Sequence, residues 1–330
     1  MRKKLSKILV TGGAGFIGSA FARQAIKKGY KVIIVDKLTY AGDVRRLAVI
    51  KGKYKFYKVD ICDQNKIERI FEKEKPDCVV NFSAETHVDR SIKSAKEFIE
   101  TNVVGTEVLL CAVRQHKIKK FIQLSTDEIY GDIKKGEFFE DFPLNPSSPY
   151  SASKAAADLL IKSYIRTYNF PAIIVRPSNN YGPWQYPEKL IPRAILTVLK
   201  GGKIPVYAKG KNVREWLYVE DCASGILKIL ESGKIGEIYN IGSGQEKENI
   251  YIVKGILKAM RADSDGFEFV RDRPGHDIRY KLNSDKLKKD ISWEPKVKID
   301  DGLKFTVNWC LENKSWLLSK SEEVAALYKK

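Results

Sequence analysis

The chain has 330 residues, and its hydrophobic content of 43% excludes a disordered protein and suits one large domain or two coupled ones. No apolar run approaches the roughly 20 residues that a membrane-spanning helix needs, and too few apolar residues follow the basic start of the chain for a signal peptide. The formal net charge of +18 raises nucleic-acid binding as an alternative, but the lysines are spread between apolar residues without a basic block, which favours solvated faces. We therefore expect a soluble cytoplasmic protein that binds neither nucleic acid nor membrane.

The cysteines and histidines bear on metal sites and disulfides. The five cysteines are widely spaced and odd in number, with no CxxC pair, which indicates reduced thiols. Since the chain has only three histidines, we expect no metal site.

The first predicted elements form a βαβ unit. A buried strand over residues 7–11 leads into a turn with three glycines, a helix extends from about 19 to 28, and a second strand covers 31–36. Because small residues let the backbone approach a pyrophosphate and a helix N-terminus supplies N–H donors, this pattern predicts a dinucleotide site. The glycines are Gly12, Gly15 and Gly18.

The acid that ends the second strand indicates which dinucleotide binds. Asp36 lies 18 residues past Gly18, where a carboxylate accepts hydrogen bonds from the adenosine ribose and repels a 2′-phosphate. This position favours NAD over NADP. Lys37 argues in the other direction, since a cation there could tolerate the phosphate.

The following elements alternate between strand and helix, which predicts an α/β fold with a Rossmann-like, doubly wound parallel sheet and a smaller C-terminal region. We place the dinucleotide-binding domain at residues 1–180, with return segments near 205–245, and the second region at 181–330. The chain is expected to rejoin the first sheet near 237–241. Further strands are predicted over 54–59, 78–82, 120–124 and 172–175, and helices over 64–74, 94–116 and 151–168.

Polar side chains follow the strand predicted over 120–124. A hydroxyl and two adjacent acids, Thr126, Asp127 and Glu128, come after Ser125. The carboxyl edge of an open parallel sheet is where such proteins place their chemistry. Acids near a core are costly unless they pair with another group, so we expect partners elsewhere in the chain.

The expected partners are Tyr150 and Lys154. Four residues apart on a helix, they share one face. A neighbouring ammonium favours the phenolate, so the pKa of Tyr150 is expected to fall and the tyrosine to act as a base.

With its glycine triplet and YxxxK pair, the chain resembles the extended short-chain dehydrogenase/reductase family, and within it most closely the dTDP-glucose 4,6-dehydratases. The Thr-Asp-Glu triplet is the specific part, since related epimerases and decarboxylases commonly carry Ser-Ser or Thr-Ser there. The resemblance extends from residue 8 to about 310. The stretches that carry it are 36–42, 84–92, 125–132, 179–183, 187–192, 214–221 and 272–277.

The resemblance implies a redox-neutral lyase that converts an NDP-glucose to the NDP-4-keto-6-deoxyglucose and water. Tyr150 would remove the C4 hydroxyl proton, Lys154 would hold the nicotinamide ribose and lower the pKa of the tyrosine, and Thr126 would orient the C4 oxygen. Glu128 would take the C5 proton, and protonated Asp127 would donate to the departing C6 hydroxyl. Adjacent acids in a semi-buried site can be held in different protonation states.

The resemblance also implies NAD as the cofactor, a nucleotide-diphosphate glucose as the substrate, a homodimer built from the helices near 94–116 and 151–168, and a role in deoxysugar biosynthesis, with rhamnose as a product. The residues it places around NAD are Gly12, Gly15, Phe16, Ile17, Gly18, Asp36, Lys37, Leu38, Thr39, Asp60, Ile61, Phe82, Ser83, Ala84, Glu85, Thr86, Thr101, Tyr150, Lys154 and Asn180. Those it places around the nucleotide sugar are Thr86, Thr126, Asn179, Lys189, Leu190, Pro205, Val206, Tyr207, Arg214, Asn249, Asp272, Arg273, Pro274, Gly275 and His276.

Some alternatives stay open. Thr86 stands where serine is usual, and the tail after Trp316 is short, so a substrate contact near the C-terminus is in doubt. The loops do not separate dTDP from UDP. A second hypothesis is an NDP-sugar epimerase or decarboxylase. A third is a noncatalytic NAD-binding regulator, which would not need all of the residues Thr126, Asp127, Glu128, Tyr150 and Lys154.

Overall fold

A seven-stranded parallel sheet forms the centre of the computed structural model, which describes residues 5–272 and 275–328. The order β3-β2-β1-β4-β5-β6-β10 reverses direction between β1 and β4, which is the arrangement of a doubly wound Rossmann-like sheet. The predicted Arg273 and Pro274 lie outside the described residues. The strands are β1 (Lys7–Thr11), β2 (Lys31–Val35), β3 (Tyr54–Tyr57), β4 (Cys78–Asn81), β5 (Lys120–Leu124), β6 (Ala172–Pro177), β7 (Asn179–Tyr181), β8 (Ile204–Tyr207), β9 (Val213–Tyr218), β10 (Ile238–Ile241), β11 (Glu246–Glu248) and β12 (Phe267–Val270).

Helices cover both faces of this sheet, which explains why its strands are continuous apolar runs. One core lies against α1 and α8 and contains Ile8 and Val10, and the other lies against α2, α5 and α6 and contains Leu9. The helices are α1 (Phe16–Lys27), α2 (Gln64–Glu74), α3 (Val88–Lys93), α4 (Lys96–Ile99), α5 (Gly105–Gln115), α6 (Pro149–Tyr168), α7 (Leu190–Leu199), α8 (Val219–Ser232), α9 (Asn249–Met260), α10 (Asp285–Ile291), α11 (Ile299–Glu312), α12 (Lys314–Ser319) and α13 (Ser321–Tyr328). Short 3₁₀ turns cover Val44–Ile50, Asp127–Tyr130 and Ala208–Gly210.

The helix predicted over 94–116 is not continuous. Ser94 has an extended backbone and ends α3, and a π-helical turn at Glu100–Val104 separates α4 from α5. Within this turn Asn102 accepts a hydrogen bond from the Glu85 backbone N–H at 2.9 Å and donates to the Ser153 hydroxyl at 2.8 Å. The irregular turn therefore joins the end of β4 to helix α6.

The C-terminal region has its own core. Strands β11, β9 and β7 form a three-stranded sheet, and β12 pairs with β8. Helices α7, α9 and α11 cover a third apolar cluster that includes Trp216, Ile252 and Leu303. Strand β10 pairs with β6 in the large sheet, so the chain returns to the first sheet after β9. The domain boundary near residue 180 stays a prediction.

Within residues 5–272 and 275–328, no helix combines the length and the apolar character that crossing a membrane requires.

Candidate active site

A deep cleft opens at the carboxyl ends of β1, β4, β5 and β6, at the switch point where open α/β sheets bind ligands. The cleft brings together most of the residues that the sequence singles out. The predicted residues that line it are Gly12, Gly15, Phe16, Ile17, Gly18, Asp36, Lys37, Thr39, Asp60, Ile61, Phe82, Ser83, Ala84, Glu85, Thr86, Thr101, Thr126, Asp127, Glu128, Tyr150, Lys154, Asn179, Asn180 and Lys189.

The glycine turn after β1 forms one end of the cleft. Gly12 has a φ of +64°, and a Cβ there would lie 2.6 Å from the backbone nitrogen of Ser83. A Cβ on Gly18 would lie 2.3 Å from the Gly12 carbonyl oxygen. A larger residue at position 12 would therefore separate the turn from the end of β4, and one at position 18 would separate helix α1 from the turn. Helix α1 begins at Phe16, earlier than predicted, so its N-terminal N–H groups lie at the cleft.

Asp36 is held by the backbone of the same region. Its two carboxylate oxygens accept hydrogen bonds from the N–H groups of Ala14 at 2.9 Å and Leu38 at 2.8 Å. Burial raises its pKa above the ordinary value. Lys37 turns to Asp60, with 3.3 Å between the ammonium nitrogen and a carboxylate oxygen, and donates to the Thr101 hydroxyl at 3.2 Å. The carboxylate of Asp60 thus offsets the positive charge of Lys37, the cation that would tolerate the 2′-phosphate of NADP.

The two acids follow β5 in a 3₁₀ turn. The Thr126 hydroxyl accepts from the Glu128 N–H at 3.3 Å and donates to an Asp127 carboxyl oxygen at 3.3 Å. Asp127 is 2% exposed, whereas Glu128 is half-buried. The turn thus places two adjacent acids in different surroundings, and Thr126 orients both.

Tyr150 and Lys154 lie on the first turns of α6. A capping box between Ser148 and Ser151, with Pro149 at the first helical position, sets the start of this helix. The Tyr150 ring is 7% exposed and packs edge-on to Phe98, with 6.4 Å between ring centroids. The Lys154 ammonium donates to the carbonyl oxygen of Leu124 at 2.6 Å, so helix α6 is joined to the end of β5.

Burial dominates the ionisation of these groups. It raises the pKa of Asp127 well above its usual range, and the charges of Glu128 and Glu215 act in the same direction. Burial, opposed by the charge of Asp158, lowers the pKa of Lys154 to about 8. Burial therefore favours the protonated form of Asp127, which could donate a hydrogen bond to a ligand.

The expected fall in the pKa of Tyr150 is wrong for this arrangement. Burial raises that pKa, and so does the charge of Glu128, while a hydrogen bond with Thr126 acts in the opposite direction. The Lys154 ammonium is directed at the Leu124 carbonyl and does not offset the desolvation of the phenol. Tyr150 is a neutral phenol in the structure.

The remaining predicted residues lie outside the cleft lining. Leu38 packs against the core while its N–H binds Asp36. Arg214 is buried, donates to the Asp277 carbonyl at 2.8 Å and stacks on Tyr280 at 4.5 Å. The others are in the C-terminal region: Leu190 begins α7, Pro205, Val206 and Tyr207 are in β8, Asn249 begins α9, and Asp272, Gly275 and His276 follow β12.

Part of this second group forms a cluster. His276 Nδ1 lies 2.6 Å from an Asp272 carboxylate oxygen, and its ring meets the Tyr207 ring edge-on at 6.2 Å between centroids. The Asn249 side-chain oxygen is buried and has no hydrogen-bond partner among the described residues. An unsatisfied buried acceptor at this place is consistent with a ligand donor.

Several residues of the cleft are not predicted from the sequence. Glu188 lies in stretch 187–192, which carries the resemblance, and Tyr186 lies directly before it, so that stretch is a signal for both. Arg46 lies in the 3₁₀ turn Val44–Ile50, where no pattern distinguishes it from its exposed neighbour Arg45. The missed lining residues are Ala41, Gly42, Arg46, Val59, Leu124, Ser125, Pro177, Ser178, Gln185, Tyr186 and Glu188.

A glycine turn at the switch point of a parallel sheet, with a buried tyrosine–lysine pair beside it, defines a nucleotide-dependent protein of the short-chain dehydrogenase/reductase type. The chain matches the family model of GDP-mannose 4,6 dehydratase over residues 9–306, and it belongs to that family.

Relatives and solved structures are similar over nearly the whole chain. The chain is 46% identical to a dTDP-glucose 4,6-dehydratase from Neisseria meningitidis serogroup B, covering 94% of this chain and 95% of the relative. It is 45% identical to a dTDP-glucose 4,6-dehydratase from Escherichia coli, covering 94% and 95%. The structure of a dTDP-glucose 4,6-dehydratase from Streptomyces venezuelae, with NAD bound, has a TM-score of 0.91 and 44% identity, covering 94% of this chain and 98% of that one.

The raised pKa of Asp127 gives a test of the site that needs no substrate. The folded protein keeps this proton above the pH at which the unfolded chain loses it, so the contribution of Asp127 to stability falls as pH rises through that range. Asp127→Asn removes this term. The free energy of unfolding of this variant, relative to that of the wild type, should therefore increase by up to about 1.4 kcal/mol per pH unit above about pH 4. Urea unfolding of both proteins from pH 4 to pH 8 measures the difference, and a difference that does not change with pH contradicts the assignment.

Proposed function

We propose that the protein is an NAD-dependent lyase that converts dTDP-glucose to dTDP-4-keto-6-deoxyglucose and water. The observation that carries the proposal is one cleft that joins a buried acid, Asp127, to an adjacent half-buried acid, Glu128, beside Tyr150 and Lys154. The relatives' shared name agrees with this chemistry.

The cleft residues fit NAD. The close approach of Gly12 and Gly18 to backbone atoms leaves room for a pyrophosphate against the turn, and Asp36 stands where the adenosine ribose needs an acceptor. The side-chain oxygens of Ser178 and Asn180 are buried in the cleft wall without a partner among the described residues. When bound, NAD⁺ supplies the hydride acceptor for C4 and, once reduced, the hydride donor for C6.

Tyr150 is the base for the C4 hydroxyl. As a buried neutral phenol it needs a positive charge nearby before it can accept a proton, and the charged Lys154 one helical turn away is positioned to provide it once its ammonium also faces a ligand. The Thr126 hydroxyl holds the acid turn beside the phenol and binds the C4 oxygen.

The two acids carry out the elimination. Glu128, the more exposed of the pair, removes the C5 proton that a C4 ketone acidifies, and Asp127 donates its proton to the departing C6 oxygen. The order of proton transfers requires one ionised and one neutral carboxyl, which the unequal burial of the pair provides.

The fold by itself does not distinguish this reaction from epimerisation. A UDP-glucose 4-epimerase from Thermotoga maritima has a TM-score of 0.88 with 31% identity to this chain. An epimerase transfers hydride at C4 and has no need of an elimination pair. The acids at 127 and 128 therefore favour the dehydratase, and the preference for dTDP over UDP rests on the relatives' name.

The two acids can be tested separately from hydride transfer. Glu128→Gln and Asp127→Asn keep the shape of the site but each lacks one proton-transfer group, so product formation should fall by roughly 10²–10⁴-fold. Oxidation at C4 stays possible, so the absorbance band of reduced nicotinamide should rise when dTDP-glucose is added. The exposed Asp141→Asn is the matched control and should behave as the wild type.

Two results would contradict the proposal. If both variants form product at the original rate, the acids are not the elimination pair. If the wild type releases no 4-keto-6-deoxy product from dTDP-glucose, the substrate assignment fails. A parallel incubation with UDP-glucose then shows whether the nucleobase of the substrate or the type of reaction is assigned wrongly.

We also propose a cytoplasmic homodimer that works in deoxysugar biosynthesis, including rhamnose formation. The free thiols of all five cysteines suit a reducing compartment. Helix α4, the π-helical turn and helix α6 pack against one another and expose apolar side chains: Ile99 is 52% exposed, Val104 47% and Leu159 55%. Exposed apolar side chains on packed helices are typical of a two-fold interface.

Leu159→Glu should therefore convert the dimer to a monomer, because a charge on both copies would face the two-fold axis. Phe305→Glu, on the equally exposed Phe305 of α11, is the matched control and should remain dimeric. Light scattering of the three proteins at working concentration measures the mass, and a monomeric wild type contradicts the assembly.

A further inference from the structure

Arg46 is a buried cation at the junction of three backbone segments. It is 1% exposed, and burial lowers its pKa to about 10, so it stays charged at neutral pH. Its Nη1 donates to the carbonyl oxygens of Ala14 at 2.9 Å and Ala41 at 2.5 Å. Its Nε and Nη2 donate to the carbonyl oxygen of Trp184 at 3.1 and 3.0 Å. One side chain thus joins the glycine turn, the loop after Asp36 and the segment that follows β7.

The third of these segments forms a wall of the cleft. Residues 185, 186, 188 and 189 line it, and Lys189 donates to the Thr86 carbonyl at 2.9 Å on the opposite side. Trp184, at its start, has a φ of +71°, which a tryptophan adopts only when its surroundings enforce it. The bonds from Arg46 to its carbonyl provide part of that enforcement.

The C-terminal helices supply the rest. The Trp184 ring packs against Trp309 and Trp316, with centroid distances of 4.7 and 5.2 Å. Trp316 Nε1 donates to an Asp43 carboxylate oxygen at 2.8 Å, and the Arg46 guanidinium lies 5.9 Å from the centroid of the Trp316 ring. Helix α12 is thereby tied to the 3₁₀ turn that carries Arg46.

Helix α13 contacts the same wall further along. The hydroxyl of cleft-lining Tyr186 donates to a Glu323 carboxylate oxygen at 2.6 Å, and Lys320 lies 3.0 Å from that carboxylate. Tyr186 also meets Tyr40 edge-on at 5.3 Å between centroids. Helices α12 and α13 therefore contact the cleft wall at Trp184 and at Tyr186.

We propose that Arg46, with Trp316 and Glu323 of the C-terminal helices, positions segment 184–189 against the cofactor loops and so sets how tightly the cleft holds its ligands. Trp316 and Glu323 are positioning residues, since they act on the ligands through the wall, and Arg46 holds the wall while it also lines the cleft. The proposal rests on the proposed function for the identity of the ligands, NAD and a nucleotide sugar. The contacts described hold the segment whatever the ligands are.

Single variants that remove one bond each test the role of the tail. Trp316→Phe keeps an aromatic ring, smaller than the indole, and loses the N–H donor to Asp43. Glu323→Gln weakens the acceptor of the Tyr186 hydroxyl. The amides of residues 185 and 189 should exchange with deuterium about 2- to 10-fold faster in each variant, the worth of one hydrogen bond. NAD release and KM for dTDP-glucose should rise by a similar factor, while kcat at saturation stays unchanged.

Matched controls exclude a general loss of packing. Trp309→Phe loses the same ring area beside Trp184 and so measures the effect of packing alone, which Trp316→Phe should exceed. Glu322→Gln makes the same change at the neighbouring position of α13 and should exchange and bind as the wild type. Arg46→Lys, which cannot reach all three carbonyls, should show the largest effect. If Trp316→Phe and Glu323→Gln match their controls in exchange and NAD release, or only lower the folded fraction, the positioning role is refuted.

The exchange measurement separates this inference from the proposed function. Amide exchange is recorded on the protein without substrate, so it reports on the wall even if dTDP-glucose is not converted. A wild type without dehydratase activity refutes the lyase assignment alone. Unchanged exchange in an active enzyme refutes the positioning role alone.

Discussion

The chemistry of the site depends on the burial of the Asp127 carboxyl at the end of β5. An ionised carboxylate with 2% exposure would be strongly destabilised beside a second acid, so the pair separates into a neutral donor and a more exposed partner. The parallel sheet makes this possible because its strands end at one edge. Helix α6, bound to that edge through the Lys154 ammonium and the Leu124 carbonyl, brings the phenol to the same place.

Other buried polar groups hold this edge in position. Arg176 in β6 pairs with Asp158 in α6 at 3.0 Å, both almost fully buried, and also donates to the Tyr130 hydroxyl at 2.7 Å. Asn102 in the π-helical turn links the end of β4 to α6. Breaking a buried pair from one side typically costs about 3–5 kcal/mol, so these contacts strongly favour one arrangement of the site.

The sequence predicts the parts of the molecule in which a local pattern and a chemical need coincide. The βαβ unit with Asp36 and the polar residues after β5 are such parts, and the strands there match closely. Tertiary contacts decide the rest. At the break over Glu100–Val104, Asn102 binds Glu85 after β4 and Ser153 in α6. Arg46 binds carbonyl oxygens that only folding brings together. The protonation of Tyr150 follows from its burial, which the spacing of residues does not reveal.

The most direct test of the central claim, one redox-neutral site that moves hydrogen within the sugar, is the fate of a deuterium placed at C4 of dTDP-glucose. We expect the label at C6 of the 4-keto-6-deoxy product, because the hydrogen removed beside Tyr150 returns after the two acids expel water. A 4-keto-6-deoxy product without deuterium at C6 contradicts this transfer.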